Sequence, residues 1–123
     1  MKTGFDILIT DHNPHVRRLI AREMSAAGYG VQEAECGADV LSQVSRNKAP
    51  DLLILDPELP DIDSAILLQR LRKRVPALPV VIHAFSSDME DHPDFLKSEW
   101  FVEKRGASIE HLKEVIQDLL TRR

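Results

Sequence analysis

Five side chains that could do chemistry follow apolar runs of the sequence. Asp11 and His12 follow ILIT, Asp56 and Glu58 follow LLIL, and Lys104 follows WFVE. Carboxylates held close together repel one another, and a cation, a metal ion or a raised pKa relieves that repulsion. Hard oxygen ligands suit Mg²⁺, and an ionised aspartate beside an ammonium group can attack a phosphoryl group. The residue types therefore predict a phosphoryl-accepting or metal-binding site if the fold gathers them.

The run at residues 52–55 predicts the strand that places Asp56. Four consecutive apolar residues are too few for a buried helix and do not alternate, so they indicate a strand covered on both faces. Pro57 and Pro60 prevent this strand from continuing and stiffen the following loop. Asp56 consequently lies at the carboxyl end of a buried parallel strand, where open α/β sheets bind their ligands.

Strand and helix patterns alternate along the rest of the chain. We predict strands at residues 5–9, 30–34 (an edge strand), 52–55, 80–82 and 100–102. Helices are predicted from Asn13 as N-cap and Pro14 to a stop at Gly28, over 38–46, over 64–74, and from Ser108 as N-cap. A helix over 88–98 is expected to be short or broken, because Pro93 lies in its middle.

Each predicted helix carries apolar residues on one face. The expected inward sets are Val16, Leu19, Ile20, Met24 and Ala27; Val40, Leu41 and Val44; Ile66, Leu67 and Leu71; and Leu112, Val115, Ile116, Leu119 and Leu120. Five strands alternating with such helices predict an α/β fold with a doubly wound parallel sheet and helices on both faces. All strands then present their carboxyl ends at one edge, which would gather the five chemical side chains.

Composition excludes several classes of protein. The 123 residues suffice for a single domain, 1–123, and 43% hydrophobic with 29% charged residues is typical of globular proteins. No apolar run could span a membrane. The lone Cys36 excludes a disulfide framework and suits the reducing cytoplasm. We expect its side chain to pack as a small apolar residue rather than to act as a reactive thiol. A net charge of −4 argues against nucleic-acid binding.

From residue 5 to residue 120 the chain resembles a response-regulator receiver domain. The resemblance is carried by Asp11 in ILITDHNP, by the loop Asp56-Pro57-Glu58-Leu59-Pro60 and by Lys104 in WFVEK. It implies a flavodoxin-like sheet in the order 2-1-3-4-5. It also implies two-component signalling, in which Asp56 accepts a phosphoryl group from a histidine kinase or phosphotransfer protein. The output would be an interaction with a downstream protein target or effector domain.

The resemblance also implies a role for each matched residue. Asp56 would be the phosphoacceptor, and Lys104 would contact a phosphoryl oxygen. Mg²⁺ would be held by Asp56, by the main-chain carbonyl of Glu58 and by a water molecule on Asp11. Ala84 and Phe101 stand at the family's two switch positions, which are a hydroxyl residue at the end of the fourth strand and an aromatic residue on the fifth. Such a domain is not an enzyme beyond self-catalysed phosphoryl transfer and dephosphorylation.

The sequence departs from the family at positions that matter. His12 stands where receivers carry a second acid, so Mg²⁺ affinity should fall unless Glu58 replaces the charge. Ala84 lacks the family's hydroxyl, which Ser86 or Ser87 would have to supply. Arg105 replaces a proline that follows a cis peptide, so we expect a trans peptide and a shifted lysine loop.

These departures leave alternatives open. The domain could be a degenerate receiver that binds partners without phosphorylation. A small enzyme is less favoured: TDHNPH lacks a flavodoxin's phosphate loop, and phosphatases of the haloacid-dehalogenase type place their aspartate after the first strand. His12 is expected to be a tolerated loop residue rather than a ligand, and His83 a satisfied core histidine. Arg17 is expected on the solvated face of the first helix.

Overall fold

One five-stranded parallel sheet forms the centre of the protein. The computed structural model describes residues 4–45, 49–89, 100–106 and 108–121. The strands are β1 (Asp6–Thr10), β2 (Gly30–Ala34), β3 (Leu52–Leu55), β4 (Val80–Ala84) and β5 (Phe101–Glu103). Their order is β2-β1-β3-β4-β5, and every neighbouring pair is parallel. The predicted fold class and strand order are confirmed.

Four α-helices connect or follow these strands in the described parts of the chain. They are α1 (Pro14–Ala26), α2 (Gly37–Val44), α3 (Ser64–Arg74) and α4 (Ser108–Thr121), and a 3-10 helix spans Ser86–Met89. The predicted helix over 88–98 lies, beyond Met89, outside the described residues. None of the described helices is both long and apolar enough to cross a membrane.

The start of α1 follows from its first residues. Asn13 Oδ1 accepts hydrogen bonds from the amides of His15 (2.9 Å) and Val16 (3.4 Å), and Pro14 occupies the first helical position. Both features satisfy or remove amide donors that a helix N-terminus leaves unpaired. After the helix, Gly28 has a φ of +100°, which glycine adopts without steric cost. The predicted cap and stop are confirmed, and they hold the loop after β1 close to the sheet.

The core lies on both faces of the sheet. One face packs against α2 and α3, which contribute the buried apolar side chains of Val40, Leu41, Val44, Leu67 and Leu71. The other packs against α1 and α4, which bury Ile20, Ala21, Met24, Leu112, Ile116, Leu119 and Leu120. Leu53 and Leu55 of β3 face the first cluster, whereas Leu52 and Ile54 face the second. β3 is therefore covered on both sides, as the apolar run predicted.

Some expected inward residues are exposed. Leu19 is 40% and Ile66 45% exposed, and Ala27 also faces solvent. Leu19 and Ile66 lie at the flanks of their helices' apolar stripes, while the centre of each stripe packs on the sheet, so their predicted burial was wrong. Ala27 was predicted inward but is the C-cap, beyond the last residue of α1. Ser108 was predicted as the N-cap of the last helix. It is instead the first helical residue, and its hydroxyl lies 3.2 Å from His83 Nε2.

Asp61 ties the loop after β3 to α2. Its carboxylate accepts hydrogen bonds from the amides of Gly37 (2.8 Å) and Ala38 (2.9 Å), and these bonds lower the pKa of Asp61. Cys36, at the N-cap position, makes no side-chain capping bond of its own. A Cβ atom on Gly37 would collide with the side chain of Ile62, so the close approach requires glycine. This contact fixes the loop that begins at Asp56.

Candidate functional site

Two buried carboxylates meet at the carboxyl edge of the sheet. Asp11 directly follows β1 and Asp56 directly follows β3, and these strands are paired neighbours with Thr10 opposite Leu55. Asp11 is 0% and Asp56 1% exposed. The shared edge predicted from the sequence therefore brings both acids into one buried site.

The two oxygens of Asp56 have different surroundings. Oδ1 accepts a hydrogen bond from the Glu58 amide at 3.0 Å. Oδ2 lies 2.5 Å from His12 Nδ1, 3.4 Å from the His12 amide and 3.3 Å from Lys104 Nζ. Burial alone would raise the pKa of Asp56, but the Glu58 amide, the Lys104 ammonium and His12 together lower it. Asp56 is thus held as an ionised carboxylate.

Asp11 has the opposite electrostatic balance. Its Oδ1 accepts a hydrogen bond from the Asn13 amide at 2.9 Å, and its Oδ2 lies 3.0 Å from Lys104 Nζ. Burial raises the pKa of Asp11, and the Asn13 amide and Lys104 offset that effect only in part, while Asp56 adds to it. The pKa values of the two neighbouring carboxyl groups are therefore shifted in opposite directions, a pattern that is common at functional sites.

Lys104, which directly follows β5, bridges the two acids. Its amide donates to the Ala84 carbonyl at 2.9 Å, which continues the pairing of β4 with β5 and fixes the backbone below the side chain. The side chain is 9% exposed, and the Phe85 ring, itself 51% exposed, lies 5.6 Å from Nζ. The Lys104–Arg105 peptide is trans, as predicted. Three distant segments thus deliver two carboxylates and one ammonium group.

His12 belongs to the site, although it was expected to be a tolerated loop residue rather than a ligand. Its side chain is 50% exposed, but Nδ1 lies 2.5 Å from Asp56 Oδ2 and 3.8 Å from Asp11 Oδ1. The Asn13 cap turns the chain directly after His12 and points its ring back across the edge of the sheet. Sequence position placed His12 beside Asp11, but only the turn geometry directs the ring toward Asp56.

Arg17 also serves the site, although it was predicted on the solvated face of α1. Its side chain is 13% exposed, Nη1 donates to the Asp11 carbonyl at 2.8 Å, and Nε donates to Glu33 Oε1 at 3.1 Å. The guanidinium therefore links the turn after β1 to the edge strand β2. No sequence motif marked this residue, since its contacts depend on how α1 lies over the sheet.

Neither Ala84 nor Ser86, on the β4 and β5 side of the site, offers a free hydroxyl to the acids in the described structure. Ala84 is buried and has no polar side chain. Ser86 Oγ donates to Glu103 Oε2 at 2.8 Å, and Arg105 Nη2 donates to Glu103 Oε1 at 3.0 Å. Ser86 is therefore engaged by Glu103 rather than turned toward Asp56. Phe101, the other predicted switch residue, is half-buried and packs against the core cluster below α2 and α3.

His83 is a core histidine, as predicted, but its ring is only half satisfied. It is 2% exposed, Nε2 lies 3.2 Å from Ser108 Oγ, and Nδ1 has no hydrogen-bond partner in the described part of the chain. Burial, with a contribution from the Lys104 charge, lowers the pKa of His83 to about 4. The imidazole is consequently neutral under ordinary conditions.

The side-chain donors gathered at this edge include one nitrogen ligand, which Mg²⁺ does not favour. In the described residues, a cluster that could hold a metal ion consists of Asp11, His12 and Asp56, whose ligand atoms lie within 4.8 Å of one another. That cluster does not include the carboxylate of Glu58, whose amide instead donates to Asp56. Mg²⁺ demands hard oxygen ligands in octahedral geometry, whereas one of these three ligands is an imidazole. The ammonium group of Lys104 also lies against both carboxylates, so it already neutralises part of the charge that would attract Mg²⁺.

Comparisons with known proteins agree with this arrangement. The family model described as response regulator receiver domain matches residues 7–117. The DNA-binding transcriptional regulator NtrC of Escherichia coli (strain K12) is 32% identical over 84 residues, which are 68% of this chain and 18% of NtrC. The sensor histidine kinase RcsC of Salmonella typhimurium is 39% identical over 75 residues, which are 61% of this chain and 8% of RcsC. The chain thus spans less than a fifth of these relatives.

A solved structure of similar size also matches. The response regulator protein TrrA from Thermotoga maritima, crystallised in complex with Mg²⁺-BeF, has a TM-score of 0.80 and 26% sequence identity. The alignment covers 94% of this chain and 98% of that chain. Together with the family match over most of the sequence and the acids and lysine at the sheet edge, these findings identify the family. The chain belongs to the response-regulator receiver domains of two-component systems.

Proposed function

We propose that this receiver domain accepts a phosphoryl group on Asp56 from a histidine kinase or phosphotransfer protein. The observation that carries the proposal is the buried carboxylate of Asp56, whose lowered pKa keeps it ionised, with Lys104 Nζ at 3.3 Å. An ionised carboxylate is the form that can attack phosphorus, and the adjacent ammonium can neutralise a phosphoryl oxygen. The geometry therefore supplies both a nucleophile and the positive charge that phosphoryl transfer requires.

The site provides a simple course for the transfer. A carboxylate oxygen of Asp56 forms the new O–P bond while the P–N bond of a phosphohistidine donor breaks and its electron pair stays with the leaving imidazole. Oδ1, which among the described residues accepts a hydrogen bond from the Glu58 amide alone, is less crowded than Oδ2. Lys104 can turn from the carboxylates toward the incoming phosphoryl oxygens, because its long side chain is flexible and its charge is compact.

The proposal extends to the domain's partners and surroundings. We propose that the domain acts in the cytoplasm, turns over no separate substrate, and signals through contact with a downstream protein or an effector domain. The net charge of −4 supports a protein partner rather than a nucleic acid. Mg²⁺ is expected to bind weakly at most, because His12 replaces an oxygen ligand.

A second candidate function is a degenerate receiver that binds partners without phosphorylation. The observation that favours it is the crowding of Asp56 Oδ2, which already lies against both His12 and Lys104. Ala84 and the engaged hydroxyl of Ser86 add to this case, since neither offers a donor to a phosphoryl group. The two candidates differ in whether Asp56 can be phosphorylated at all.

Phosphorylation of purified variants separates the candidates. Wild type, Asp56→Ala and Asp39→Ala would be incubated with acetyl phosphate or phosphoramidate and a divalent ion, and resolved by phosphate-affinity electrophoresis. Asp39 is a matched control, because it is an aspartate in the first turn of α2 whose carboxylate accepts a hydrogen bond from Gln43. We expect wild type and Asp39→Ala to be phosphorylated and Asp56→Ala to remain unmodified. Unmodified wild type would favour the degenerate receiver, and phosphorylated Asp56→Ala would place the acceptor elsewhere.

A further inference from the structure

We infer that Asp11, His12 and Asp56 form a site for a divalent transition-metal ion, such as Zn²⁺ or Co²⁺, in place of the Mg²⁺ that receiver domains take. The inference concerns the same sheet edge as the proposed function and deepens it by naming the class of ion. It starts from a disagreement: the family implies a site for a hard cation, but this chain places an imidazole nitrogen among the ligand atoms.

The three ligand atoms lie within 4.8 Å of one another, and His12 Nδ1 is within reach of an ion shared with either carboxylate. Ligands about 2.0–2.2 Å from a common Zn²⁺ can lie at most about 4.4 Å from each other. His12 Nδ1 lies 3.8 Å from Asp11 Oδ1 and 2.5 Å from Asp56 Oδ2. The second distance must open for an ion to enter, and the 50% exposure of the His12 side chain leaves its ring room to move.

The carboxylates are fixed in place. Asp11 Oδ1 is anchored by the Asn13 amide, Asp56 Oδ1 by the Glu58 amide, and the Asp11 carbonyl by Arg17. Asp11 Oδ2 is buried and, apart from Lys104 Nζ at 3.0 Å, has no polar partner among the described residues. Outer contacts of this kind orient metal ligands and raise affinity.

The chemistry of the ligands selects the ion. Imidazole suits Zn²⁺, Ni²⁺, Cu²⁺ and iron, whereas carboxylate, carbonyl and water ligands suit Mg²⁺ and Mn²⁺. One imidazole and two carboxylates at a half-open edge form a mixed nitrogen and oxygen set with positions left for water or a phosphoryl oxygen. His12 would then serve as the ligand that a second acid supplies in other receiver domains.

Metal titrations of the intact chain and of His12 variants test the inference. Any site of this kind binds Zn²⁺ more tightly than Mg²⁺, so the effect of removing the imidazole is decisive. The affinities of Zn²⁺ and Mg²⁺ would be measured by calorimetry for wild type, His12→Ala, His12→Asp and His111→Ala. His111 is a matched control, because it is exposed on α4. A Co²⁺ absorption spectrum of each variant reports directly on nitrogen coordination.

The expected pattern separates the two ions. His12→Ala should weaken Zn²⁺ binding by at least about tenfold and change Mg²⁺ binding much less, while His12→Asp should tighten Mg²⁺ binding. His111→Ala should match wild type. Equal Zn²⁺ affinity and an unchanged Co²⁺ spectrum in His12→Ala would overturn the inference, as would wild type that binds neither ion.

The metal inference and the proposed function can be contradicted separately. Metal affinity is measured without any phosphodonor, so a chain that binds Zn²⁺ through His12 but is never phosphorylated would contradict only the proposed function. A chain that is phosphorylated on Asp56 but whose metal affinity ignores His12 would contradict only the inference. Circular dichroism of His12→Ala confirms that the exposed substitution leaves the fold intact.

Discussion

The two halves of the sheet edge differ in the polar groups that they offer. The acceptor half, formed by Asp11, Asp56 and Lys104, holds every charged group with a hydrogen bond or an ion pair. The response half, formed by Ala84, Ser86 and Phe101, has a methyl group, a hydroxyl bonded to Glu103 and a half-buried ring. The acceptor half thus combines two carboxylates with one ammonium group, whereas Ala84 and Ser86 of the response half offer them no free hydroxyl in the described structure.

Under the proposed function, accepting a phosphoryl group and transmitting its presence would depend on separate residues. The nucleophile needs only a local arrangement of charge at the ends of β1, β3 and β5. Transmission needs a hydrogen bond from β4 to the new phosphoryl oxygens, and each such bond to a charged group contributes about 1.5–3 kcal/mol. Substitutions in one half should therefore change one property and leave the other nearly intact.

The largest expected effect comes from removing the ammonium group of the acceptor half. Lys104→Ala should slow phosphorylation of Asp56 by about 10²–10³-fold, because a positioned donor to a developing charge is worth that much in comparable sites. Rates would be measured with acetyl phosphate and compared with Arg105→Ala, whose side chain binds only Glu103 in the described structure. A rate in Lys104→Ala equal to wild type would remove Lys104 from the acceptor half.

Protonation of His83, which lies between the halves on β4, should produce the next largest effect. Its pKa falls from an unfolded value of 6.5 to about 4, so the folded state resists protonation. Stability is therefore fully present above pH 6.5 and declines as the pH falls toward 4, by about 3 kcal/mol in all. Asp11, whose pKa is raised, works in the opposite direction over this range.

Denaturant unfolding across this pH range isolates the histidine. The difference in unfolding free energy between wild type and His83→Gln should shrink as the pH falls from 7 to 4. The comparison cancels the contribution of Asp11, which both proteins share. A difference that stays constant with pH would show that His83 is protonated equally well in the folded and unfolded chains.

Restoring a hydroxyl should strengthen the response half. Ala84→Thr should bind beryllofluoride about tenfold more tightly than wild type, because it adds a hydrogen bond to a charged oxygen. Ala84→Val has the same shape without the hydroxyl and controls for crowding at this buried position. Adding His12→Asp should raise Mg²⁺ affinity and phosphate response together. If threonine and valine behave alike, the hydroxyl has no partner in this site.

The smallest effect is expected at Ser86. Ser86→Ala removes the hydrogen bond to Glu103, which is the largest cause of that residue's lowered pKa, so the pKa of Glu103 should rise. Phosphorylation of Asp56 should stay at the wild-type rate, because the Ser86 hydroxyl is directed to Glu103. NMR titration and the acetyl phosphate assay measure the two quantities. A marked fall in phosphorylation would mean that Ser86 turns to contact the phosphoryl group.

Much of the fold could be predicted because it follows from local patterns. β2, β3 and α3 have the predicted bounds, and a parallel sheet then requires Asp11, Asp56 and Lys104 to meet at one edge. Helix periodicity identifies the centre of an apolar stripe better than its flanks. This is why Ile20 and Met24 are buried as predicted while Leu19 and Ile66 are exposed.

The polar contacts that complete the site could not be predicted in the same way. The His12 ring reaches Asp56, Arg17 reaches the Asp11 carbonyl, and Asp61 caps α2, and each contact joins residues from different elements or turns. Their existence depends on side-chain direction, which residue type and spacing do not determine. Sequence thus indicates which residues share an edge, and the structure shows which of them touch.

The central claim, that Asp56 can carry a phosphoryl group beside Lys104, is tested most directly by NMR. Amide spectra of wild type and Asp56→Asn would be recorded before and after addition of beryllofluoride with Mg²⁺ or Zn²⁺. The account predicts shifts at the amides of Asp56, Glu58 and Lys104 in wild type, smaller shifts at Phe101, and none in the variant. A wild-type spectrum that is unchanged with either ion would contradict it.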